Sequence, residues 1–268
     1  MVRRLPTVLA ALTLALALPA LAAPTTAAGP HAADAAAARL VPGGLFRPAP
    51  DAGNRNDVKA GNTVLTYSTN WSGYAVIGGT FTTATATWVQ NAITCTNRRD
   101  DTDMSPWVGL DGFNDNTVEQ TGTSGDCNGT SKDYYAWYEF YPANFVTINK
   151  TVDPGDTFTG TVTNTSGKSY SLKLTDDTQG WSFSTTGTES ATDASAEAVM
   201  EEAANYLTQW SGTDPFTSFT VNGQPVGGFT ASQYTIEQME IQDGSTLCDS
   251  TSSLSANENF TVGWLNLC

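Results

Sequence analysis

From residue 67 onward the chain is written mostly in period two. Phe81-Thr82-Thr83-Ala84-Thr85-Ala86-Thr87-Trp88-Val89 alternates threonine with apolar residues, and Asn70-Trp71-Ser72-Gly73-Tyr74-Ala75-Val76-Ile77 precedes it across a Gly78-Gly79 turn. That pattern predicts strand, turn, strand. Residues 107–110 and 117–120 flank the polar turn Phe113-Asn114-Asp115-Asn116 and predict a second hairpin, with Asp111 and Gln120 close to each other across it. Residues 134–141, Tyr-Tyr-Ala-Trp-Tyr-Glu-Phe-Tyr, form the most aromatic stretch. As a strand they place Tyr135, Trp137, Glu139 and Tyr141 on one face, as in a cleft wall that grips an extended ligand or as a core strand with Glu139 satisfied by a neighbour. Further strands are predicted at 157–163 and 170–175 around Asn164-Thr165-Ser166-Gly167-Lys168, then at 181–184, 216–221, 234–237 and 260–264. Many short strands between Gly, Pro, Asn and Asp turns predict an all-β sandwich. No internal repeat is evident.

Three stretches break the pattern. Residues 1–22 combine Arg3 and Arg4, an apolar run over 8–18 and Ala20-Leu21-Ala22, the layout of a secretory signal peptide. Residues 23–66 are rich in Ala, Pro, Gly and Thr, with almost no aromatics, and read as a pro-segment or flexible linker. The domain is therefore expected over 67–268, exported and not anchored, since no later apolar run is long enough to span a bilayer. The third exception is Ala194-Ser195-Ala196-Glu197-Ala198-Val199-Met200-Glu201-Glu202-Ala203-Ala204, whose strong helix formers predict a helix by propensity alone. In a chain of strands, that preference competes with tertiary context.

Charge narrows the partners. Residues 67–268 hold 6 basic and 24 acidic side chains, a formal −18. Nucleic acid and anionic membrane are thereby disfavoured. Self-repulsion on this scale eases as carboxylates protonate, which suits an acidic medium, although plain solubility would also explain it. The acidic loop at 97–103 lacks the ligand spacing of a calcium loop and reads as solvated. Four cysteines in an exported chain predict two disulfides, with Cys95–Cys127 and Cys248–Cys268 the expected pairs because each brackets one predicted structural unit.

Histidine usage constrains chemistry most. The single histidine is His31, within the segment expected to be removed. The domain cannot run a Ser-His-Asp or Cys-His mechanism, lacks the usual imidazole ligands of zinc, and calls for no cofactor. Any catalysis falls to Asp and Glu. Two carboxylates such as Asp111 and Glu139 would serve a glycoside hydrolase, whereas one Glu with an uncharged donor such as Gln120 would serve an acid peptidase. A non-catalytic carbohydrate-binding or adhesion sandwich remains a third reading, because Tyr135, Trp137 and Tyr141 could stack on sugars.

Five ordered landmarks carry a resemblance: Asn70-Trp71-Ser72-Gly73, Trp107-Val108-Gly109-Leu110-Asp111-Gly112, Glu119-Gln120-Thr121-Gly122, Ala136-Trp137-Tyr138-Glu139-Phe140-Tyr141-Pro142 and Ala196-Glu197-Ala198-Val199-Met200-Glu201. Over nearly all of 70–262 the chain resembles the eqolisins, the secreted glutamic peptidases. The resemblance implies a concanavalin-like sandwich of two long, bent antiparallel sheets and a Gln-Glu dyad in the concave cleft. It places the dyad at Gln120 and Glu201, with Trp107, Asp111 and Glu139 as supporting or cleft residues. In a strand Glu197 and Glu201 share a face, so only the family's register separates them; Ala198, where the family commonly has an aromatic, and Glu202 depart from it. The implied enzyme is a secreted acid endopeptidase acting on polypeptides, and a monomer is expected.

Overall fold

The computed structural model describes residues 53–96, 101–113, 115–203 and 206–268, with side chains from Gly61 onward. The signal peptide and most of the pro-segment expected from sequence lie outside these residues.

Nearly every described element is a strand. A ten-stranded sheet runs, in spatial order, Gly53–Ala60, Thr63–Ser68, Thr235–Asp243, Trp71–Ile77, Ser195–Glu201, Thr102–Leu110, Val118–Asn128, Ser131–Tyr141 and Val146–Ile148, with Thr246–Leu247 paired to Thr235–Asp243. An eight-stranded sheet runs Trp181–Thr188, Ser169–Asp176, Thr157–Ser166, Thr83–Val89, Thr213–Val221, Phe260–Trp264 and Asp249–Thr251, with Gln224–Pro225 alongside Thr213–Val221. The pairings are antiparallel except between Thr63–Ser68 and Thr235–Asp243, which run parallel. Both sheets supply side chains to one core, including Val108, Leu110, Ala196, Ala198 and Met200 from the large sheet and Trp88, Phe158 and Phe216 from the smaller one. Trp88 and Phe158 stack with centroids 6.3 Å apart. This is the all-β sandwich that the alternation predicts.

The large sheet begins earlier than the change of composition at Tyr67 suggests. Leu65 is buried, the Thr66 hydroxyl donates to the Glu237 carboxylate, and six residues of Thr63–Ser68 pair with Thr235–Asp243. A short alternating run can join a large sheet even when the sequence around it is poor in aromatics.

Helix formers 195–201 form a central strand instead of a helix. Its seven residues are all buried and pair on one side with Trp71–Ile77 and on the other with Thr102–Leu110. Ala196, Ala198 and Met200 fill the inter-sheet core, which leaves Glu197, Val199 and Glu201 on the opposite face. Two ladders and burial on both faces outweigh a propensity difference of a few tenths of a kcal/mol per residue.

Both expected disulfides are present, Cys95–Cys127 and Cys248–Cys268. No described helix is long and apolar enough to cross a membrane.

Candidate active site

On the face of the large sheet turned away from the smaller one, a second apolar cluster gathers Trp71, Ala75, Trp107, Phe113, Val118, Trp137, Val199, Ala203 and Met239. Trp71 and Trp107 meet edge to face at 4.9 Å. The glycines of the sequence landmarks make room for these rings. A Cβ on Gly122 would come within 2.5 Å of Trp107 Cβ and of the Pro106 carbonyl, and one on Gly109 within 2.8 Å of Trp107 Cζ3. A side chain at either position would displace the indole.

Fully buried polar groups rise from this aromatic floor. Glu201 receives the Trp107 indole N–H at Oε2 (2.8 Å) and the Asn70 amide at Oε1 (3.3 Å). Gln120 lies beside Gly109 on one flank and Glu139 on the other, and its Nε2 donates to Glu139 Oε2 at 2.8 Å. Burial, followed by the negative charge of Glu201, pushes Glu139 up to about 9. Gln120, Glu139, Glu201 and Trp107 are thus brought into one electrostatically connected site. Two carboxyl groups in one buried site do not both ionise easily, and on Glu139 burial and the Glu201 charge outweigh the Gln120 amide and the Phe145 backbone N–H that favour its ionised form. Glu139 therefore holds its proton through the acid range.

Asp111 plays a different part. It adopts a left-handed φ of 66°, and its carboxylate accepts the Thr192 hydroxyl and the Asp193 and Ala194 amides at 2.8–2.9 Å. It ties the hairpin turn to the chain entering the Ser195–Glu201 strand. Burial, with Asp115 as a neighbouring carboxylate, raises it to about 7. Glu197 shares the face of Glu201, but neither of its oxygens has a hydrogen-bond partner, and its Oε1 lies over Gly109. Burial and the Asp111 charge raise it well above the usual range; the Ser195 hydroxyl eases its charge without reaching good hydrogen-bond geometry.

Sequence reasoning missed Asn70 as a site residue. Its signal was available in Asn70-Trp71-Ser72-Gly73: Ser68 Oγ accepts the Asn70 and Trp71 backbone N–H groups, and the turn aims the Asn70 amide at Glu201.

Residues 69–264 match the model of the Peptidase A4 family. The chain belongs to that family. Its members are glutamic-type peptidases, hydrolases of the eqolisin group, and this chain is an enzyme of that class. It is 29% identical over 222 residues to Aspergillopepsin-2 of Aspergillus niger, covering 72% of this chain and 77% of the relative. Against Scytalidopepsin B of Scytalidium lignicola it is 33% identical over 165 residues, 58% of this chain and 60% of the relative. Among solved structures, scytalido-glutamic peptidase with a transition state analog inhibitor superposes with a TM-score of 0.59 at 23% identity, over 74% of this chain and 98% of that one. Aspergilloglutamic peptidase from Aspergillus niger gives 0.50 at 26% identity, over 61% and 99%. The likeness in fold agrees with the sandwich described above, and a peptidase family leaves the glycoside-hydrolase and carbohydrate-binding readings without support.

Proposed function

We propose that this enzyme is a secreted endopeptidase that cleaves polypeptides in acidic medium, with Glu201 as general base and Gln120 as oxyanion donor. The observation that carries the reading is the pair of N–H donors from Trp107 and Asn70 on Glu201, in a site shared with the Gln120–Glu139 pair. A carboxylate held on two sides keeps a fixed lone-pair direction for a water molecule. Glu201 takes a proton from that water as the oxygen attacks the scissile carbonyl, and no covalent enzyme intermediate forms. The second N–H of Gln120 Nε2 meets the developing oxyanion, while the first stays on Glu139 and fixes the amide plane. Protonated Glu201 then delivers its proton to the leaving amine. Glu139, neutral at acid pH, orients Gln120 without adding a second negative charge next to the oxyanion. Neither metal nor cofactor has a role in these steps.

Residues 1–22 would direct export, and the basic segment from Arg39 to Lys59, whose end runs into the Gly53–Ala60 strand, would lie against the acidic domain until acid weakens the attraction and opens the pro-segment upstream of that strand to cleavage. Activation that proceeds equally well at neutral and acid pH would argue against that account.

The test is peptide release from an unfolded protein at acid pH. Cleavage that survives a chelator and an aspartic-protease inhibitor, and is lost in Gln120→Ala and Glu201→Gln variants that still fold, bears the reading out. Full activity in both variants removes the dyad.

A further inference from the structure

We propose that Asp103, Ser105, Ser124 and Asp126 form a hydrogen-bonded wire that needs one extra proton to be complete, and that in this state it positions the end of the Glu201 strand. The inference rests on the reading of Glu201 as the base.

The wire lies one step along the sheet from Glu201. Ser105 stands directly opposite Glu201, and Asp103 is paired with Asp126 on the neighbouring strand. Ser105 Oγ is 3.3 Å from Asp103 Oδ2 and 2.8 Å from Ser124 Oγ, and Ser124 Oγ is 2.7 Å from Asp126 Oδ1. Tyr135 donates its hydroxyl to Asp126 Oδ2 at 2.9 Å.

Counting protons decides what state the wire is in. Three oxygen-to-oxygen contacts need three hydrogens, and two serine hydroxyls supply two. The third must come from a carboxylic acid. With the proton on Asp126, that acid donates to Ser124, Ser124 donates to Ser105, and Ser105 donates to an ionised Asp103. With the proton on Asp103 every donor reverses. The two arrangements interconvert when each oxygen passes one proton to the next, and no charge is gained or lost. When both carboxyls are ionised, one contact has no hydrogen and two negative charges face each other across the serines.

The wire is attached to the base through Asp103. Its Oδ2 accepts the Ala203 N–H, two residues beyond Glu201, its N–H donates to the Tyr206 carbonyl, and its carbonyl accepts the Thr208 N–H. Asp103 thus holds the chain that leaves Glu201, and these four residues are positioning residues rather than catalytic ones. The titratable groups facing them are Asp133 and Tyr135 from the Ser131–Tyr141 strand, Glu201 from the central strand and Tyr206 from the segment after it. Burial and the Asp103 charge raise Asp126 to about 7. A raised carboxyl stabilises the fold fully below its unfolded value near 4 and loses that contribution as pH rises through its folded value. The wire is therefore complete in acid and breaks toward neutrality.

Asp126→Asn separates this account from a generic packing role. An Asn side chain donates to Ser124 through Nδ2 at every pH and accepts Tyr135 through Oδ1, so it imitates the protonated acid permanently. The decline in thermal stability and kcat that the parent shows as Asp126 loses its proton should be absent from this variant, and kcat is the readout that removal of a buried charge alone would not move. Ser124→Ala, which cuts the wire, should lower kcat at acid pH roughly tenfold with little change in KM. An Asp126→Asn stability profile that overlays the parent's, or a Ser124→Ala enzyme with the parent's kcat, overturns the proposal. If Ser124→Ala does not fold, Asp126→Asn alone decides by the same criterion. The stability profile does not depend on which residue is the base, so a failure of the Gln120–Glu201 dyad would be seen separately, as full activity in the dyad variants.

Discussion

The two ends of the Ser195–Glu201 strand present the same residue in opposite circumstances. Glu197 and Glu201 are four positions apart, on one face, and both fully buried. Glu201 is met by an indole N–H and an amide N–H; Glu197 has no hydrogen-bond partner at either oxygen and sits near Asp111, Asp115 and Glu119. Burial penalises the charge of both, and well-formed hydrogen bonds offset it at one end only, Ser195 easing the other without reaching that geometry. A carboxyl fit to take a proton in acid is made by its donors and not by its burial. The carboxyl without donors is kept neutral and serves as packing.

Glu201→Gln should break the comparison most severely. On the proposed reading Glu201 is the general base, whose removal costs about a hundredfold to ten-thousandfold, so peptide release at acid pH should fall by at least two orders of magnitude while circular dichroism and thermal stability at that pH stay near the parent values. A Glu201→Gln enzyme with one-tenth or more of the parent rate would mean that the donors mark a structural carboxylate. Gln120→Ala should follow at about a hundredfold to a thousandfold in kcat, read against an unchanged KM.

A smaller loss is expected from Trp107→Phe, which keeps a ring in the aromatic floor and deletes one donor to Glu201. One hydrogen bond to a charged group is worth about 1.5–3 kcal/mol, so kcat should drop by one to two orders of magnitude. An equal drop in Trp71→Phe, whose indole does not reach Glu201, would point to packing instead of donation.

Next comes the pH dependence of stability. Burial raises Glu119 and Glu139 to about 9, and Asp111, Asp126 and Asp249 to about 7, while Glu197 and Asp214 are raised well above the usual range. In the unfolded chain these groups titrate near 4. Between those limits the folded state binds more protons than the unfolded one, so stability is greatest below about pH 4 and falls as pH rises toward 9. Thermal melting across that range should show a continuous decline; a flat profile would contradict the buried, neutral state of these groups.

Glu197→Gln should have the smallest effect. At acid pH it exchanges a neutral acid for a neutral amide and should leave kcat within about twofold, whereas above neutrality it should melt higher than the parent because it has no charge to bury.

Much of this was legible in the chain. Alternation such as 81–89, with turns marked by Gly and Asn, gives the sandwich, and the bracketing of structural units by cysteines gives the disulfides. The Ser195–Glu201 strand was not legible from local sequence, because Ala, Glu and Met favour a helix until two neighbouring strands and two buried faces are supplied. The Thr63–Ser68 strand was hidden for a related reason: its partner, Thr235–Asp243, lies some 170 positions away and pairs in parallel. Within the site, Gln120 and Glu139 could each be placed on a strand, but their pairing is seen only in the folded sheet, and no periodicity distinguishes Glu201 from Glu197. Their difference lies in Trp107 and Asn70, which reach one of them only after long-range folding.

The most direct measurement follows the two carboxyl groups themselves. In protein labelled at the glutamate side-chain carboxyl carbon, with Glu197→Gln and Glu201→Gln assigning the two signals, a pH titration by carbon NMR reads which one ionises first. Loss of the proton from Glu201 in acid, while Glu197 holds its own past neutrality, is the expected result. If Glu197 ionises first, the donors on Glu201 do not select the base, and the account of the site is wrong.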